Sequence, residues 1–359
     1  MKTNKRKTLV ILSPGFPENE ADSTCIPPQQ VFVKALKEVY PELNITVLAL
    51  QYPFFSGEYD WHGVRVISFG GKNKGRFFRL YTNLRVLSAL KKIKREEQLI
   101  GLLSFWFGKC AYLGDLFAKK HQLKHYSWIL GQDAKAGNKY FHKIKPEGES
   151  LIALSDFIVR EFTRNYGAIP AHVVPVGIET SLFKETNEER DIDILGAGSL
   201  IPLKQYRIFI SMIYSLKEFY PEIKAAICGD GPERRELQAL VKELKLEENI
   251  TLLGRLTHSE VLAYMQRSRI FLHPSAYEGF GAVCLEALYA GADVVSFVRP
   301  MNMAIKNWHT TPDKYEMLQL LKQILQQPNI SNVPVLPYAI QSNVKKMISL
   351  FDYNEPAIS

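Results

Sequence analysis

The stretch PSAYEGFGAVCLEALYAGADVV, residues 274–295, decides how this chain is read. Glu278 and Glu286 stand eight positions apart across a Gly-Phe-Gly turn. A short strand-like run precedes them, Ala282 to Tyr289 are good helix formers, and Gly291 is placed to end that helix. A second strand-like run, Asp293 to Phe297, follows. With Gly279 to Gly281 as the turn, the first-turn N–H groups of the helix lack intrahelical acceptors and carry the positive end of its dipole, which makes an anion site. Glu286 falls two turns down the helix and Glu278 just outside its start. One bound molecule would then meet sugar-binding carboxylates at both ends and phosphate-binding amides between them. A structural reading stands beside this one, with Glu278 as a capping group and Glu286 as a solvated helix charge. The two flexible glycines weigh against it, since they add nothing to a helix start that binds no ligand.

The rest of the chain sets the scale. Its 359 residues suit two domains, each with its own core. A hydrophobic content of 46% with 23% charged residues is ordinary for a globular protein. No apolar run approaches the roughly 18 residues that span a bilayer. The basic start MKTNKRK leads into an apolar run of only Leu9 to Leu12, which reads as a buried strand and not a signal peptide, so a cytoplasmic location is expected. Cys25, Cys110, Cys228 and Cys284 are far apart and are expected to be reduced. His121 and His125 have helical spacing, but no third ligand is evident, so they read as a surface helix pair.

The formal charge of +8 is concentrated, with nine Lys or Arg against two Glu between Lys72 and Glu97. Phe77, Leu80, Tyr81, Leu84 and Leu87 recur at spacings of three and four within it, which predicts an amphipathic helix whose apolar stripe packs on a sheet. Its basic face, Arg76 to Arg95, is either solvated or a contact for an anionic membrane surface or acceptor. Without an RNA-type aromatic motif or helix-turn-helix, nucleic acid is the weakest partner.

Strand-like and helix-like segments alternate throughout, which predicts parallel sheets covered by helices. The boundaries expected are a first domain at 1–175, a linker at 176–191, a second domain at 192–335, and a C-terminal helix at 336–359 that crosses back to the first domain. In the second domain four consecutive strands end in glycine-bearing or polar loops, around Gly198, Gly229, Gly254 with Arg255, and the carboxylate turn. In open parallel sheets ligands sit beyond the carboxyl ends of the strands. GAGSLI and GDGPER each lack the third glycine of a dinucleotide fingerprint, so hydride transfer is disfavoured. Asp191 and Asp193 lie at the start of a strand, the wrong end for a site, and read as structural.

From Ile192 to about Phe297 the sequence resembles the retaining, family-4-type glycosyltransferases of the GT-B fold, through GAGSLIPLK, GDGPE, ITLLGRL, SRIFLHPS and the Glu-x7-Glu turn. The first half resembles them more loosely, through LVILSPGFP, the strand ending in GQDA, and ALSDFIVREFTRNYG. The resemblance implies an α/β fold of two facing Rossmann-like domains with a central cleft. It implies a UDP- or GDP-linked sugar as co-substrate and no metal or other cofactor. By that resemblance, Glu286 binds the ribose, Glu278 lies near the transferred sugar, and the amides of Phe280, Gly281 and Ala282, beside Gly279, meet sugar and phosphates. Lys204 neutralises the diphosphate, near Gly198, Ser199 and Gly229. Arg255 lies near the base, and Gly15 lets the first domain's backbone approach the donor. Gln132 and Asp133 stand where the family often has a catalytic His-Asp. The chain departs from the pattern at Ser199, usually a cation, at Gln132, and after Gly291, where no further glycine occurs. Together with the basic helix Arg76 to Arg95, the resemblance makes a glycan or a lipid-linked molecule the expected acceptor. A catalytically silent sugar-binding subunit and a nucleotide-sugar epimerase are the alternative readings.

Overall fold

The protein, seen as a computed structural model, is described over residues 5–72, 75–184, 189–327 and 333–353. The Arg76 side chain and residues 185–188 of the expected linker lie outside the described residues. The chain divides into two compact units, one running to Gly177 and resuming at Tyr338, the other running from Ile178 to Pro337. The α/β class expected from the alternating pattern is what the structure shows.

In the first unit the order is β1 (Lys7–Gly15), α1 (Pro27–Val39), β2 (Asn44–Tyr52), β3 (Ser56–Trp61), β4 (Val64–Phe69), α2 (Arg76–Glu96) and β5 (Gln98–Phe105). There follow α3 (Lys109–His121), β6 (His125–Ile129), α4 (Tyr140–Ile144), β7 (Leu151–Ala153), α5 (Asp156–Tyr166) and β8 (His172–Val173). They form one sheet in the order β3-β4-β2-β1-β5-β6-β7-β8, and only the β3–β4 pair is antiparallel. Thr8 to Ser13 of β1 are all buried, the unbroken burial of a strand covered on both faces. The strand order reverses between β1 and β5, which opens a crevice beyond their carboxyl ends. Strand β3 escaped the sequence reading because SGEYDW is a mostly exposed edge strand. Its hairpin turns at His62 and Gly63, with φ of 48° and 74°, the left-handed pair that a two-residue turn requires.

The C-terminal α11 (Ile340–Ser349) packs on α1 of the first unit. Asn343 donates to the Pro175 carbonyl at 3.0 Å, and Tyr126 and Lys124 donate to the Leu350 carbonyl, each at 2.9 Å. Val344, Met347, Ile348 and Phe351 are buried there, so the helix completes this unit's core.

In the second unit, β9 (Ile192–Ala197), α6 (Tyr206–Lys217), β10 (Ala225–Cys228), α7 (Arg234–Glu243), β11 (Ile250–Gly254) and α8 (His258–Gln266) lead to β12 (Ser268–His273). Then come α9 (Ala282–Tyr289), β13 (Asp293–Ser296), β14 (Trp308–Thr310) and α10 (Lys314–Leu325). All pairs are parallel, in the order β11-β10-β9-β12-β13-β14, the doubly wound arrangement with its reversal between β9 and β12. At the opposite, amino-terminal end of the sheet, Asp191 pairs with Arg267 and Asp193 with Arg269, as their structural reading expects.

Two expectations fail. Of the stripe Phe77, Leu80, Tyr81, Leu84 and Leu87, only Leu87 packs against the core, and the other four are 90%, 59%, 57% and 59% exposed. Thr82, Val86, Leu90 and Ile93, on the opposite side of α2, are the buried set. The helix has two apolar faces about 180° apart at 100° per residue, and periodicity alone does not say which one the sheet takes. Nor are His121 and His125 a helix pair, because His121 ends α3 and His125 opens β6. His125 bonds Ser104 Oγ at 2.9 Å, and burial brings its pKa down to about 3.

The glycine loops of the second unit hold each other. Gly229 has φ of +150°, and a Cβ there would stand 1.9 Å from the Gly198 carbonyl oxygen. Gly229→Ala should therefore cost about 2 kcal/mol or more of stability, read as a lowered Tm. An unchanged Tm would show that the two loops do not need this approach.

Candidate functional site

The site in the second unit is built where β9 and β12 part. The Ala276 amide donates to the Leu203 carbonyl at 3.0 Å, and Ser275 Oγ donates to the same oxygen at 3.2 Å. These bonds fasten the loop after β9 to the loop after β12. Lys204 thereby reaches the Glu278 carboxylate, and the two form an ion pair with side chains 19% and 16% exposed. Gly198, with φ of +148°, lies beside the Lys204 stem: a Cβ there would stand 3.8 Å from Lys204 Cε, ordinary contact, and 3.2 Å from the Tyr206 hydroxyl.

His273, the last residue of β12, completes this cluster from beneath. Its Nε2 lies 2.9 Å from Glu278 Oε1. Burial lowers its pKa against the pull of Glu278, so the ring is neutral and the carboxylate, which only accepts, assigns the proton to Nε2. Burial pushes the Glu278 carboxyl up, but the His273 hydrogen bond and the Lys204 ammonium outweigh it and hold the pKa below the usual carboxylate range. Glu278 therefore stays ionised near neutrality. It can accept from sugar hydroxyls and stabilise positive charge, but it cannot serve as a proton donor.

The turn beside it has the expected form. Gly281 occupies the N-cap of α9 with φ of +91°, a left-handed conformation that favours glycine. The amides of Ala282 and Val283 occupy the first turn, where no intrahelical acceptor exists. Phe280 is buried with its ring edge-on to Trp308 at 5.9 Å, and Trp308 Nε1 donates to Ser296 Oγ at 2.9 Å. The segment after Gly291 thus supports the turn from below with an aromatic contact. Glu286 accepts from His258 Nε2 at 2.8 Å, which joins α9 to the start of α8. Glu286 raises the His258 pKa by this hydrogen bond and by its charge, and Glu179 adds to it, against burial.

The other expected residues are placed as follows. Ser199 is exposed at the rim of the β9 loop, and Arg255 is exposed just after Gly254. Gly229 is engaged with Gly198, as described above. In the first unit, Gly15 closes β1, where a Cβ would stand 3.2 Å from Tyr52 Cβ and 3.5 Å from Cys25 Sγ, so it serves close packing. Gln132 is exposed in a short turn. Asp133 is a latch: it accepts from the Phe107 amide at 2.6 Å, the Gly131 amide at 2.7 Å and the Leu130 amide at 3.1 Å. Burial raises its pKa against those donors. The structure thus gathers Gly198, Lys204, Glu278 and the α9 turn, and it gives Asp133 backbone partners. The sequence reading missed His258 and His273. Their only signal was a His at a strand end and a His at a helix start, without the partners that the fold supplies.

The switch point of this doubly wound sheet thus brings together a lysine, two carboxylates and a helix start, groups whose chemistry complements phosphate and hydroxyls. Residues 177–329, less than half of the chain, match the family Glycosyl transferases group 1. Among proteins of known activity, the 2-deoxystreptamine N-acetyl-D-glucosaminyltransferase of Niallia circulans is 29% identical over 103 residues, covering 29% of this chain and 26% of that protein. The N-acetylgalactosamine-N,N'-diacetylbacillosaminyl-diphospho-undecaprenol 4-alpha-N-acetylgalactosaminyltransferase of Campylobacter jejuni is 36% identical over 106 residues, covering 30% of this chain and 28% of that one. The match thus spans under a third of either relative's length. The Anabaena protein HepE, solved with UDP-glucose, superposes with a TM-score of 0.64 at 16% identity over 96% of this chain and 97% of that one. That likeness is one of fold, and it makes the architecture GT-B.

Two outcomes test these placements. Because His258 has a raised pKa, its pair with Glu286 stabilises fully below the ordinary 6.5 and fades as pH climbs through the raised value. His258→Gln should therefore lower Tm more at pH 6 than at pH 8.5, and an equal loss at both would deny the pair. Asp133→Asn should destabilise by about 2 kcal/mol, since one oxygen that accepted backbone N–H groups becomes a donor. Turnover lost at an unchanged Tm would instead make Asp133 catalytic.

Proposed function

We propose that the protein is a glycosyltransferase that moves a sugar from a nucleoside diphosphate donor to a hydroxyl acceptor with retention of configuration. The observation that carries this is the Lys204–Glu278–His273 cluster beside the α9 turn, in a unit that matches the glycosyltransferase family. As the glycosidic bond breaks, negative charge gathers on the departing diphosphate and positive charge on the sugar ring. Lys204 and the first-turn amides of α9 serve the first charge. Glu278, ionised and fixed by His273, serves the second. Glu286 has the reach and the charge to bind ribose hydroxyls once it exchanges His258 for them.

The acceptor in this reading is a glycan or a lipid-linked molecule. Among the described residues no helix is long and apolar enough to cross a membrane. The outward face of α2 supports peripheral contact with an anionic membrane surface from the cytoplasmic side, since its exposed apolar residues lie among basic ones. The name of the Campylobacter relative, with its diphospho-undecaprenol acceptor, agrees with that choice.

Purified protein should release free sugar slowly from a UDP- or GDP-sugar and transfer it when acceptor is added. Lys204→Ala and Glu286→Ala should each raise KM for the donor by about tenfold. Glu278→Gln should mainly lower kcat, because it removes a charge needed in the transition state. Wild-type kcat in that variant would remove Glu278 from the reaction. An isomerised nucleotide-sugar as the product would point to an epimerase.

A further inference from the structure

The first unit has a crevice of its own at the reversal between β1 and β5. It comprises two adjoining cavities of about 410 and 590 Å³ that share Arg79, Lys109 and Tyr140. The first is floored by strand ends, including Pro14, Gln51 and Phe105, and the second opens onto Phe77, Leu80 and Tyr112 of the helices. Lys72 joins the first and Lys143 the second, so four cations line the pair with no carboxylate among the lining residues.

Lys72 rests over the Phe54 ring at 4.6 Å, whereas the two cations shared by the cavities are not spent on the fold. Among the described residues, neither Arg79 nor Lys109 has a side-chain hydrogen bond or ion pair. Lys143 rests over the Tyr112 and Tyr140 rings, with centroids at 5.8 and 5.7 Å. Lys109 is half-buried, and burial together with nearby Arg79 lowers its pKa, the mark of a cation held without an anion. Both α2 and α3 start here with no acidic residue in the first turn and no side-chain cap, so two positive helix ends are left uncompensated. The cavities' apolar rim continues along α2 as Phe77, Leu80 and Leu84, and Lys91 and Arg95 extend the same outward face at spacings of seven and four.

We propose that this crevice holds the phosphate or diphosphate head of a lipid-linked acceptor, with Arg79 and Lys109 on the phosphate and the hydrocarbon chain along Phe77, Leu80 and Leu84. The assignment of the ligand as acceptor rests on the glycosyltransferase reading, whereas the binding itself rests on the first unit alone. Neither charge nor apolar surface is sufficient by itself. A free sugar phosphate would leave the stripe in water, and an uncharged lipid would leave Arg79 and Lys109 without an anion.

The test titrates the full chain with farnesyl diphosphate, inorganic pyrophosphate and vesicles of phosphatidylglycerol. Farnesyl diphosphate should bind more tightly than pyrophosphate. Arg79→Ala with Lys109→Ala should weaken both by about tenfold or more. Phe77→Ser with Leu80→Ser should weaken farnesyl diphosphate and leave pyrophosphate unchanged. All four side chains are exposed or half-buried, and an unchanged Tm shows that the variants fold. Equal affinity for the two diphosphates, or no effect of the Arg79 and Lys109 changes, would overturn the proposal. So would retention on vesicles without farnesyl diphosphate binding, which would mark a general membrane contact. Thermal shift with UDP- and GDP-sugars reads the second unit separately. Loss of that signal with farnesyl diphosphate binding intact would sink the glycosyltransferase reading and spare the crevice.

Discussion

The second unit depends on a carboxylate that is kept charged while mostly out of water. Glu278 meets Lys204 on one side and a neutral His273 on the other, and neither partner alone accounts for its position. A largely desolvated ion pair is costly unless its remaining hydrogen-bonding capacity is used, and His273 at the end of β12 supplies that use. The arrangement also poises Lys204. Its ammonium is held at the mouth of the β9 loop by an electrostatic bond that an incoming diphosphate, with greater charge, can share. The fold therefore holds the cation in place and does not leave it to wander on a flexible stem.

The two units use the same topology for different chemistry. Each sheet reverses strand order beside its first strand, and each reversal opens a crevice at carboxyl strand ends. In the second unit the loops at the reversal are made of glycines, which pack backbone on backbone and bring N–H groups and carboxylates forward. In the first unit the corresponding loops bring Lys72, Lys109 and Trp106, and the flanking helix adds Arg79. One crevice mixes both signs of charge and suits a ligand with hydroxyls as well as phosphate. The other has one sign and aromatic walls.

Much of this was legible where local chemistry and fold agree. The limits of α5 follow from Ser155, whose hydroxyl accepts from the Ile158 amide, and from Gly167 in a left-handed C-cap. The α9 turn was legible because glycine at a left-handed N-cap has few other uses. What stayed hidden depends on contacts distant in sequence. His258 and Glu286 are separated by 28 residues and meet only because α8 packs on α9. The Phe107 amide that Asp133 accepts from lies 26 residues away, in the loop after the neighbouring strand, and sequence position alone does not show that bond. The face of α2 was misjudged for a related reason. Two apolar stripes fit the helical period equally well, and the sheet selects by position and not by hydrophobicity.

That second stripe carries an argument of its own. A helix that had only to cover β2, β4 and β5 would need Val86, Leu90 and Ile93, which its inner face supplies. Phe77, Leu80, Tyr81 and Leu84 add nothing to that packing and expose apolar surface that water disfavours. Their side of the helix leads into Lys91 and Arg95, and the helix start leads into Arg79 and the cavities beside it. Apolar residues at one end of a face and cations around them match an amphiphile with an anionic head, and they match poorly a protein partner, whose contact would bury the lysines unpaired. In the proposed reading, an acidic lipid surface and a phosphate-bearing acceptor are met by this same helix.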